Sequence, residues 1–122
     1  MLKEESRISE SDRALILEYV SKLESRGISV GRLAKYIYYL KNIRIKMKAN
    51  FSDVTRVDIE TLVKEINSEN YEPWTRADYK GILKSFYRWL RTGAMDSSAP
   101  FPPEVAWINS KISATRKKSP MC

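Results

Sequence analysis

Apolar residues recur at helical spacing along almost the whole chain, and no stretch sustains the apolar–polar alternation of a half-buried strand. From Ser29 to Ala49 the apolar positions Leu33, Tyr36, Ile37, Leu40, Ile43 and Met47 fall within an arc of about 120° at 100° per residue. A stripe of that width buries itself against neighbouring helices, so the predicted fold class is all-α. An earlier helix is expected from about Ser11 to Arg26, capped by Ser9 or Ser11 and ended by Gly27, with Leu15, Tyr19, Val20 and Leu23 inward. A third starts near "TRVD", where Thr55 and Asp58 have the spacing of a capping box, and runs through Ile59, Leu62, Val63 and Ile66 to the polar turn "NSEN". The fourth is started by Pro73 and stopped by Gly93, with Tyr79, Ile82, Leu83, Phe86, Trp89 and Leu90 on its apolar face. "DSSAPFPP" makes a stiff turn, and "PEVAWINSKI" predicts a short fifth helix with Pro103 in its first turn. The expected architecture is a compact bundle of four main helices plus one short one.

At 122 residues the chain suits one domain with a single modest core. Residues 1–10 are expected to be flexible, 11–112 to form the helical domain, and 113–122 to be a basic tail. No apolar run approaches the roughly 20 residues needed to span a bilayer, and "MLKEESRISESD" has no signal-peptide core. The one cysteine, Cys122, allows no internal disulfide and reads as an incidental thiol. These features point to the cytoplasm. The chain contains no histidine, which removes the commonest general base, the commonest zinc ligand and every His-containing triad. No spacing singles out a pair among its 15 carboxylates for acid–base work or a metal site. No cofactor is expected.

Net charge is +7, and its placement says more than its size. Residues 29–50 carry six basic groups and no acid; residues 73–95 carry five against Asp78 alone. Between them, 51–72 holds two basic and six acidic groups, and 1–28 holds five and six. Charge therefore alternates by helix: near neutral, basic, acidic, basic. On the fourth helix Arg76, Lys80, Lys84, Arg88 and Arg91 share an arc of about 120°, although each i,i+4 pair of like charges costs a few tenths of a kcal/mol. Gly81 and Ser85 lie just beyond that arc, where small residues permit close approach of a backbone. Duplex DNA suits such a helix, because its groove admits a helix and its phosphates reward a row of cations. On the second helix Arg32 and Lys35, near the N-terminal turn, are better placed to touch DNA than Lys41, Arg44 and Lys48, which solvate the back.

A plainer reading treats the basic residues as a solvated surface. Tyr36, Tyr79, Phe86 and Trp89 have core spacing, whereas Tyr38, Tyr39 and Tyr87 suit either the core edge or a ligand. A small helical bundle can also be a protein-interaction module, with Trp74 and Trp107 as anchors.

"ISVGRLAKYIYYLKNI", then "VTRVDIETLV", "YEPWTRADYKGILKSFYRWL" and "PPEVAWI", resemble the N-terminal core-binding domain of tyrosine recombinases of the phage-integrase type, closest to archaeal integrase-like members. The matching framework is Ser29, Tyr36 and Leu40 in the second helix, Thr75 with Leu83–Leu90 in the fourth, and the segment from Pro103 to Ile108. The resemblance spans about Ser11 to Pro120 and implies a SAM-like bundle forming half of a clamp around recombination-site duplex. It implies DNA contacts from Arg32, Lys35, Arg76, Lys80 and Lys84, with Arg88 and Arg91 on the backbone. Arg32 departs from the threonine common at its position, which suits a phosphate contact rather than base reading. Strand exchange in the family needs a catalytic domain with a His-containing motif and a tyrosine nucleophile, and "ATRKKSP" looks like the linker toward one. The resemblance thus implies a chain that binds DNA without cleaving it. Its partners would be double-stranded DNA, the catalytic domain of the same parent chain and other recombinase protomers, with no membrane.

Overall fold

A computed structural model describes residues 8–47 and 49–110, and these are all-helical or irregular, with no strand. The elements are α1 (Glu10–Ser25), α2 (Val30–Lys46), a 3-10 turn (Phe51–Asp53), α3 (Arg56–Ser68), α4 (Pro73–Thr92) and α5 (Pro103–Ala106). Lys48, the tail 113–122 with Cys122, and the first seven residues lie outside the described residues.

The local signals for starting and ending helices act as the chemistry requires. Thr55 accepts from the Asp58 amide while the Asp58 carboxylate accepts from the Thr55 amide, a reciprocal capping box. Pro73 occupies the first turn of α4, and Gly93 ends it at φ 81°, a left-handed conformation that costs a residue without Cβ little. Ser9 caps α1 by accepting from the Asp12 amide at 3.3 Å.

Packing corrects the expected boundaries at two places. Residues 8–10 are part of the fold rather than of a flexible terminus, because Ile8 is buried and the Ser9 hydroxyl donates to Asn50 Oδ1 at 3.1 Å. The second helix stops at Lys46 instead of running to Ala49. Arg44 braces the turn that follows. Its guanidinium pairs with Asp12 and donates to Met47 O and Asn50 Oδ1, which favours a chain that turns away there. Arg44 is therefore a partly buried structural cation, not part of a solvated back. The turn delivers Phe51 into the core, where the Asp12 carboxylate accepts its amide.

One core joins all the helices. α1 packs on α2, α2 on α4, and α3 and α5 on α4 and on each other. Ile16 joins the α1 residues expected inside, while Leu15 is only partly buried. An aromatic cluster fills the centre, with Tyr19, Phe86 and Trp89 in mutual contact and Phe51 4.6 Å from Phe86. Tyr87 belongs to the core too; its hydroxyl donates to Phe51 O at 2.8 Å. Tyr39 packs edge-on against Tyr79 at 4.4 Å, and Tyr38 is exposed.

Candidate nucleic-acid interface

α4 passes through the middle of the bundle, so only part of its circumference meets solvent. The cationic stripe is not a uniform exposed row. The segment Phe101–Ile108 packs over its C-terminal half, where Lys84 donates to Ile108 O at 2.8 Å and stands 4.6 Å from the Phe101 ring. Arg88 lies over the same ring at 4.2 Å. Arg91 pairs with Glu104 at 2.9 Å and donates to Ser52 O and Val54 O, so it ties α4 to α5 and the 3-10 turn. At the other end Arg76 donates to Glu69 O at 3.0 Å. Lys80 is partly buried on the same helix.

The partners differ in kind. Arg91 has a carboxylate; Arg76, Lys84 and Arg88 have none among the described residues, and are held by carbonyls and an aromatic face. The Nε–H groups of Arg76 and Arg88 are buried with no acceptor among the described residues. Leaving such a donor unmet costs on the order of 1–3 kcal/mol. Burial, and next the nearby Arg88 charge, push the Lys84 ammonium below its ordinary value. On the C-terminal half of α4, Lys84 and Arg88 therefore hold positive charge that no carboxylate among the described residues neutralises.

On α2, Arg32 and Lys35 are both exposed. Lys35 reaches across to α4 and pairs with Asp78 at 2.9 Å, and it also lies near the Tyr39 ring. The Asp78 hydrogen bond, more than any other cause, raises the Lys35 ammonium above its usual range. Below this pair the seam is closed by Asn42, which donates to the Tyr79 hydroxyl at 3.1 Å. Lys46 is taken up by Glu65 of α3 and by Glu69 just past its end. The structure thus brings Arg32, Lys35 and the α4 stripe onto two adjacent helices. It separates Arg91 from the rest as a structural tie.

Gly81 lies between these groups with open space over its Cα. Sequence reasoning missed Phe101, Glu104 and the Ile108 carbonyl as partners of the stripe. A proline-flanked phenylalanine carries no signal that it will sit beneath two cations. Asp78 was visible as the one acid of its helix, but its pairing with a residue on another helix was not.

Among the described residues no group of His, Cys, Asp and Glu could hold a metal ion, and no helix is long and apolar enough to cross a membrane. A cleft between α2 and α3, lined by Lys46, Asp58, Thr61 and Glu65, has its charges already engaged, Lys46 with Glu65 and Asp58 in the α3 capping box. Comparison with family models, curated proteins and solved structures finds no match for this chain.

Proposed function

We propose that this chain is a DNA-binding module that grips duplex through α2 and α4, in the manner of the core-binding domain of a tyrosine recombinase. One observation carries the reading. Arg76, Lys84 and Arg88 are held in place on α4 with no carboxylate partner among the described residues. A charge that is desolvated and uncompensated favours an external anion, and a duplex offers anions in a row. Because carbonyls and the Phe101 ring already fix these side chains, less rotamer freedom is lost when they bind. Arg32 and Lys35 add cations from α2.

In this reading phosphate contacts supply most of the affinity and the register. The module acts in the cytoplasm without a cofactor, beside the catalytic domain of its parent chain and other recombinase protomers on DNA, and does no chemistry itself. The test is fluorescence anisotropy of a labelled generic duplex from low to moderate salt. Log K is expected to fall with log salt at a slope of about −3 to −5, at roughly 0.9 per phosphate contact. Lys80→Ala and Lys84→Ala are each expected to flatten that slope by about one. Circular dichroism confirms that each variant keeps its helices.

A second reading, a protein-interaction module, draws on the exposed Trp74, Val57 and Trp107, which are 58%, 67% and 38% accessible. Absence of duplex binding by the wild type at low salt would abandon the DNA reading in favour of this one.

A further inference from the structure

A carboxylate on a surface that meets phosphates is repelled unless it accepts hydrogen bonds there. Asp78 is the one acid between residues 73 and 95, and it stands beside the proposed interface, half exposed. At about 100° per residue it lies roughly 20° from Ser85 and 60° from Gly81 around α4. The strip therefore reads, in order around the helix, Lys84 and Arg88, then Gly81 and Ser85, then Asp78, with Lys35 of α2 beyond it. Cations flank both edges of a floor of small side chains. A helix so built can lower its floor toward base edges while each edge meets a phosphate strand.

From this placement we infer that Asp78 is a specificity residue, which accepts the exocyclic amino group of a base when duplex is bound. The inference rests on the DNA-binding reading above. A carboxylate accepts and cannot donate, so it matches cytosine N4 or adenine N6 and opposes guanine O6 and N7 and thymine O4. Lys35 is its partner in the free protein. That ion pair is half exposed at both ends, 47% and 37%, so opening it costs little. On binding, Lys35 turns to a phosphate and Asp78 is released to the base. Keeping the carboxylate paired until then also keeps it from repelling the approaching duplex.

The experiment is selection from a randomised duplex pool with the full chain, as wild type, Asp78→Ala and Asp78→Asn, followed by anisotropy on the enriched and mismatched duplexes. Wild type is expected to enrich an amino-bearing base at one position and to lose about fivefold or more in affinity when that base is changed. Asp78→Ala is expected to erase the preference while still binding duplex. Asp78→Asn is expected to move it to adenine, whose N6 and N7 match a carboxamide. If wild type shows no preference, or if Asp78→Ala keeps the wild-type preference or tightens on every sequence alike, Asp78 is no reader and the inference is overturned. Those outcomes leave the DNA-binding reading standing. Only failure of wild type to bind any duplex at low salt removes that reading, and this inference with it.

Discussion

Asp12 is a carboxylate with 1% of its surface exposed, and the other buried residues among those described are apolar. It is tolerated because the Arg44 guanidinium and the Phe51 amide both donate to it, which compensates the loss of water. The pair holds the start of α1, the end of α2 and the 3-10 turn together. Removing one partner strands the other, so Asp12→Ala is expected to lower stability by about 3–5 kcal/mol, read from urea unfolding. A loss below about 1 kcal/mol would mean that Arg44 swings out to water and that the network is dispensable. Nothing near Asp12 in the sequence shows this burial. In the first turn of a helix an acid normally faces solvent and offsets the dipole, and here the deciding partner is 32 positions away. Leu23, Leu40 and Phe86 were legible because their burial follows the local period, whereas on α1 the period pointed to Leu15 and packing buried Ile16 instead.

α4 shows how an element can trade stability for access. Gly81 sits in mid-helix, where it costs about 1 kcal/mol relative to alanine, and a Cβ built there meets nothing within 4 Å. Gly81→Ala is therefore expected to raise the thermal midpoint by a few degrees for a domain of this size. If the open strip is where duplex approaches, the same change weakens DNA binding. A variant that melts higher and binds as tightly as wild type would show that nothing comes close to α4 at that position. The ends of α3 and α4 were readable because capping is local chemistry, in Thr55 with Asp58, in Pro73 and in Gly93. The end of α2 was not, since its periodicity continues past Lys46 while contacts from Arg44, Ser9 and Asp12 hold the following residues in a turn.

For the molecule as a whole, the buried aromatic centre sets the response to alkali. Burial, before any other cause, raises the phenols of Tyr19, Tyr79 and Tyr87 well above their ordinary value of 10.0. Their unfolded counterparts lose protons first as pH rises, so the folded state then binds more protons than the unfolded one. Stability from these groups is fully present below pH 10 and is lost above it. Titration followed by phenolate absorbance and by circular dichroism is expected to show these tyrosines ionising together with loss of helix. Their ionisation near pH 10 with the helices intact would contradict the burial. The sequence by itself determined the helical class, the order of the five helices, the capping box of α3, the Pro73 and Gly93 ends of α4 and the alternation of charge between helices, because each depends on residues within a turn or two. The tertiary structure alone decided which cations stay uncompensated. That depends on which carbonyls, rings and carboxylates distant parts of the chain bring beside them, as Ile108 does for Lys84, Phe101 for Arg88, Glu104 for Arg91 and Asp78 for Lys35.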